Sequence, residues 1–138
     1  MELNDHVYDR IVDLCNEGNA FVEKGKNNQA IESFVAALDL VPLPKNIWEA
    51  STWIYTAIGD TYFLNGEYEK AKSNILNALN CPDGISNPFI LLRLGQSLFE
   101  CGELDHAKEH LLRAFMLEGY KIFSKEDDKY FDLIKDLI

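Results

Sequence analysis

The run His106-Ala107-Lys108-Glu109-His110 is where residue types and spacing come nearest to a reaction centre in this chain. Two imidazoles one helical turn apart, with a carboxylate beside them, spell the pattern of an inverted zinc hydrolase. A working centre also needs a third ligand and a cleft, and Cys81 or Cys101 would have to supply that ligand. Ala107 argues the other way. It belongs to a set of small residues that recurs along the chain, so His106 and His110 flank a buried position and face solvent. Zinc-dependent hydrolysis at His106, Glu109 and His110 is therefore the remote reading, and no cofactor is expected. Cys15 has no histidine placed beside it and reads as a structural thiol. Glu126-Asp127-Asp128 lies at a helix start, where negative charge favours the dipole without any metal. A glycine-rich phosphate loop is absent, and no residue is assigned a catalytic role.

The elements that hold these residues follow a pattern occurring three times. Gly59, Gly66, Ala71 and Ala78 have counterparts at Gly18, Gly25, Ala30 and Ala37, and again at Gly95, Gly102, Ala107 and Ala114. The offsets from the first glycine are 7, 12 and 19 in every copy. Small residues at fixed offsets suit two antiparallel helices where they approach closely, so each copy reads as a helical hairpin, with Gly59, Gly66 and Ala71 as packing constraints. The hairpins are expected over about 5–42, 46–81 and 87–118, and a capping helix over about 125–137, all within one domain.

Local signals set the boundaries. Asn4 or Asp5 opens the first helix, whose inner face takes Val7, Ile11, Leu14, Gly18 and Phe21 at three- and four-residue steps. Ala30, Ile31, Phe34, Ala37, Leu38 and Val41 form the stripe of the second, which Pro42 and Pro44 stop. Asn46 followed by Glu49 reads as a reciprocal cap for the third helix. Asn87 caps the fifth, with Pro88 at its first position. The sixth carries Leu104, Ala107, Leu111 and Ala114 inward as far as Gly119, a left-handed cap. Ser124 with Asp127 resembles a further start, and Tyr130, Phe131, Ile134 and Leu137 form a stripe that covers the third hairpin.

The totals limit the partner. At 138 residues with 47% apolar and 12% aromatic side chains, the chain buries a core without disulfides or metals. It carries 23 carboxylates against 13 Lys and Arg, a formal charge of −10. Nucleic-acid binding requires the opposite balance, whereas a basic or amphipathic protein partner gains in encounter rate. No apolar run approaches the roughly 18 residues of a membrane span, and the start shows no basic segment followed by an apolar run, so no secretory signal is expected. Three cysteines without a Cys-x-x-Cys pair suit a reduced, cytoplasmic compartment. The net charge favours a monomer, and an open last helix a weak dimer.

The three copies resemble the tetratricopeptide repeat family, whose signature is a large residue, Leu-Gly, Tyr, Ala, Phe and a closing Pro. The first reads Leu14, Glu17-Gly18, Phe21, Ala30, Phe34, Pro42. The second reads Tyr55, Ile58-Gly59, Tyr62, Ala71, Ile75, Pro82. The third reads Leu91, Leu94-Gly95, Leu98, Ala107, Leu111, with Gly119 in the closing place. Glu17 in place of Leu weakens the first copy. The first glycines are 41 and 36 residues apart, against a family repeat of about 34, and the extra residues fall at Leu43 to Trp48 and near Gly84 to Asn87. The resemblance implies an all-α fold: three antiparallel hairpins stacked as a short right-handed solenoid with a C-terminal capping helix.

It also implies a concave groove lined by the first helix of each hairpin. By position the lining would be Asn19 and Glu23; Trp53, Thr56, Asp60 and Phe63; and Phe89, Leu92, Arg93, Gln96 and Phe99. The alternative for the aromatic members is packing between neighbouring hairpins. Family members that grip a chaperone's C-terminal carboxylate use two lysines, two asparagines and an arginine. Only Asn19 and Arg93 match that set here, while Cys15, Ala57 and Phe89 stand at the other three positions. The implied function is a non-enzymatic protein-interaction module, with an immunity protein that blocks a basic toxin domain as one version and a scaffold or co-chaperone adaptor as the alternative.

Overall fold

The computed structural model describes residues 2–138. Six helices alternate in direction: α1 (Asp5–Glu23), α2 (Asn27–Asp39), α3 (Glu49–Leu64), α4 (Tyr68–Leu79), α5 (Pro88–Glu100) and α6 (Leu104–Glu118). A short α7 (Asp128–Asp132) follows. α1 packs on α2, α3 on α4 and α5 on α6, and the pairs stack through α2 on α3 and α4 on α5. The result is a solenoid of three hairpins whose first helices lie side by side.

The recurring small residues have two different causes. A Cβ added at Gly59 would stand 2.5 Å from Ile75 Cδ1; one at Gly18 would meet Phe34 and one at Gly95 would meet Leu111 in the same way. These three residues set the close approach within each hairpin, and Ala30, Ala71 and Ala107 opposite them are fully buried. Gly66 corrects the sequence-based reading: nothing lies within 4 Å of an added Cβ, and its φ of +76° is the constraint. It turns the chain out of α3, a left-handed conformation that glycine adopts without steric cost.

The helix ends differ from expectation in two places. Asn4 and Asn87 cap as predicted, Asn87 Oδ1 accepting from the amides of Phe89 at 2.9 Å and Ile90 at 3.1 Å. Asn46 does not cap α3. It sits inside a 3-10 turn, Lys45–Ile47, and α3 starts after Trp48 with no side-chain cap. The linker is tied backwards instead: Lys45 Nζ donates to the carbonyls of Leu38 and Val41, both at 2.8 Å, and Trp48 Nε1 donates to Pro42 at 3.0 Å. Lys45 thus ties the linker to the end of α2, adding a second bond to the Leu38 carbonyl that the Val41 amide already reaches.

Asp127 rather than Ser124 caps α7, accepting from the Lys129 amide at 3.0 Å, while Ser124 donates back to Lys121. The last helix is also shorter than predicted. It ends at Asp132, a 3-10 turn covers Lys135–Leu137, and Leu137 is exposed rather than part of the buried stripe. Phe123, Tyr130 and Ile134 supply the cover, packed with Leu91, Leu92, Leu111 and Ala114 in one cluster. Leu104 likewise lies exposed, outside the inner face of α6. Among the described residues no helix is long and apolar enough to cross a membrane.

Candidate functional site

α1, α3 and α5 run side by side, and their shared face carries the predicted groove residues. That face divides into an open part and a closed part.

The closed part surrounds Arg93. Its Nε donates to Asp60 Oδ1 at 2.8 Å, and its Nη1 reaches Gln96 Oε1 at 2.7 Å and Glu126 Oε1 at 3.1 Å. Gln96 Nε2 donates to the same Glu126 oxygen at 2.6 Å. The guanidinium also stacks between Phe63 and Phe89, 4.5 and 5.0 Å from their centroids. One cation thus answers two carboxylates from elements distant in sequence. Burial pushes the Asp60 carboxyl above its ordinary 3.8, and the Glu126 charge adds to this; the Arg93 charge and hydrogen bond pull it down without cancelling the rise.

Residues 120–134 lie over this half of the face. Leu92, Arg93 and Gln96 are buried, and Phe99 meets Tyr130 edge-on at a centroid distance of 5.3 Å. The lining inferred from sequence is therefore corrected here. Leu92, Arg93 and Gln96 are not open to a partner, because the C-terminal segment of the same chain covers them. Phe63 and Phe99 are half-buried against that segment's cluster, the packing alternative for aromatics at these positions.

The open part lies at the N-terminal ends of the three helices and consists of two adjoining cavities. The larger, about 690 Å³, is walled by Glu2, Asp5 and Tyr8 on one side and by Trp48, Glu49 and Trp53 on the other. The smaller, about 420 Å³, continues past Trp53 and Thr56 to Asp60, Asp83 and Phe89. Glu49, Trp53 and Pro82 border both. Thr56 Oγ1 donates to the Thr52 carbonyl at 2.6 Å and Thr52 Oγ1 to Pro82 at 2.8 Å, so these hydroxyl protons are already committed within the fold. Among the described residues no Lys, Arg or His lines either cavity.

Of the eleven predicted groove residues, the structure brings Trp53, Thr56, Asp60 and Phe89 together in the open part. Asn19 and Glu23 are exposed farther along α1 and line neither cavity. Tyr8, Glu49 and Asp83 were missed by sequence reasoning. Tyr8 and Glu49 both stand ten residues before the first glycine of their copy. They precede the repeat signature, and this shared register was the signal available.

The histidine pair gathers no third ligand among the described residues. His110 Nδ1 lies 2.9 Å from the His106 carbonyl of its own helix, and His106 is exposed. Among the described residues no three His, Cys, Asp or Glu side chains converge to hold a metal. Burial pushes the Cys15 thiol up to about 11, and Cys81 Sγ donates to the Asn77 carbonyl at 3.2 Å. Neither thiol has the electropositive surroundings of a nucleophile.

A solenoid of helical hairpins with an open face along its first helices defines a class of protein-binding scaffold. Residues 14–42 and 54–80, most of the first two hairpins, match the tetratricopeptide repeat model, so the chain carries two repeats of that family within a fold of the same kind. Solved structures of similar fold span nearly the whole chain. The C-terminal TPR-containing domain of a Plasmodium falciparum protein named for FK506 binding is 23% identical, covers 99% of this chain and 94% of its own, and has a TM-score of 0.80. The first TPR of Spaghetti, bound to the HSP90 peptide SRMEEVD, is 19% identical, covers 94% of each chain and has a TM-score of 0.75. The Yersinia enterocolitica secretion chaperone SycD, with a peptide of the translocator YopD, is 18% identical, covers 97% of this chain and 96% of its own, and has a TM-score of 0.74. At these identities the likeness is one of fold. No curated protein matches the sequence.

Proposed function

We propose that this chain is a non-enzymatic interaction module that holds a basic, partly apolar segment of a protein partner in the open part of its concave face. The observation that carries this reading is the lining of the two cavities. Carboxylates at Glu2, Asp5, Glu49 and Asp83 that form no ion pair among the described residues alternate with aromatic rings at Tyr8, Trp53 and Phe89, while Asp60, the fifth lining carboxylate, is already paired with Arg93. Such a surface draws cations by charge and anchors apolar side chains by contact.

The same lining argues against the acidic peptide that Spaghetti holds in its complex. Of the residues at carboxylate-gripping positions, Cys15 is buried, Ala57 and Phe89 are uncharged, and Arg93 is committed to Asp60 and Glu126. The scaffold reading, without a chaperone tail as ligand, is therefore preferred; the immunity-protein version rests on size and charge alone. Three unpaired cysteines suit a reducing, cytoplasmic setting.

Calorimetric titration of the intact chain with two peptides of equal length tests the proposal. A helix-forming peptide of alternating Leu and Lys/Arg should bind, and more weakly as salt is raised, whereas SRMEEVD should not. Preference for SRMEEVD would overturn it.

A further inference from the structure

We infer that the larger cavity is an anchor for an arginine side chain of the bound segment, an inference that rests on the groove reading above. Its two walls belong to different helices. Asp5 and Tyr8 come from the first turn or so of α1, and Trp48, Glu49 and Trp53 from the start of α3. The helix dipoles account for acids at Asp5 and Glu49. They do not account for Tyr8 and Trp53, which stay 46% and 38% exposed across an open cavity while the hairpin cores are filled without them.

Aromatic faces and carboxylates on facing walls are the surroundings that favour a cation over any neutral group. Glu2, Asp5 and Glu49 form no ion pair among the described residues, so their charge is free to meet one. Trp48 is fixed in place by its hydrogen bond to Pro42, so that wall is held before any ligand arrives. A guanidinium fits better than an ammonium. Its planar fork donates to carboxylates on two walls while its face stacks on a ring, whereas an ammonium acts as a point charge. Lysine is therefore the weaker occupant.

The chain has two tryptophans, Trp48 and Trp53, and both line this cavity, so intrinsic fluorescence reports its occupancy directly. The test titrates the intact chain with three blocked peptides of one Leu- and Ala-rich sequence whose central residue is Arg, Lys or norleucine. The Arg peptide should perturb the fluorescence and bind about tenfold more tightly than the norleucine peptide, with Lys between. Glu49→Gln and Trp53→Ala should each remove most of that preference, while Trp53→Phe keeps much of it and Glu109→Gln, on the outer face of α6, leaves it unchanged. Circular dichroism confirms that each variant is folded. Equal binding of all three peptides, or a preference that survives Glu49→Gln, overturns the arginine anchor and leaves the groove reading standing. Failure of all three to bind at roughly millimolar concentration overturns both.

Discussion

Arg93 joins α3, α5 and the segment before α7 through Asp60, Gln96 and Glu126, and Asp60 contributes to the pH response of the fold. Because burial raises the Asp60 carboxyl above 3.8 in the folded state, the native chain binds its proton more tightly than the unfolded chain. The stability this contributes is fully present below the ordinary value and is lost as pH rises through the raised one. Asp60→Asn keeps an oxygen for Arg93 Nε but cannot titrate. Its melting temperature should therefore fall less than the parent's between about pH 4 and about pH 7; an equal or larger fall would contradict the assignment. The two kinds of glycine separate at the same scale. Gly59→Ala should cost about 1–3 kcal/mol by overpacking, and Ile75→Val, which removes the contacting Cδ1, should recover part of it. Gly66→Ala should cost about 1–2 kcal/mol through its left-handed backbone, with Asn rather than Ala tolerated there and no benefit from Ile75→Val. Thermal denaturation of these single and double variants distinguishes them. Position in the repeat identified Gly59, Asp60 and Arg93 as residues of interest. It could not show that Arg93 is saturated, because Glu126 lies 33 residues away in a segment with no counterpart in the other copies.

Hairpin elements were the most legible level, since the periodicity, the stop at Pro42 and the Asn87-Pro88 start each have a local cause. Linkers were less so, because their backbone groups are satisfied by whichever neighbour is nearest in space. The two asparagines make this measurable. Asn87→Ala should destabilise by about 1 kcal/mol through two lost cap bonds, while Asn46→Ala, which removes no cap, should fall within about 0.5 kcal/mol of the parent. Equal losses in chemical denaturation would mean that Asn46 caps α3 after all. The third hairpin lies outside the stretches matched to the family, with Leu98 where the aromatic stands and Gly119 in place of the closing proline. It nevertheless keeps the close approach of Gly95 to Leu111. Its cover is more than a terminal lid: Phe123, Tyr130 and Ile134 pack onto Leu92 and fill half of the face that the repeat pattern assigns to a partner. A stripe of four apolar residues suggested the cover, but no periodicity could show which side of α5 it would take.

On the scale of the molecule, the charge of −10 is distributed to a purpose in this reading. The C-terminal segment and Arg93 close one half of the concave face with charges paired, while the other half presents Glu2, Asp5, Glu49 and Asp83, unpaired among the described residues, between aromatic rings. Composition pointed toward a basic partner, and in the proposed reading this open half is the surface on which that preference would act. The direct measurement is backbone amide NMR of the intact chain titrated with a Leu- and Arg-containing amphipathic peptide. Shifts concentrated at Tyr8, Glu49, Trp53, Thr56 and Phe89, and fading as salt is added, are the predicted result. Shifts confined to the outer helices α2, α4 and α6, or none along α1 and α3, would contradict it.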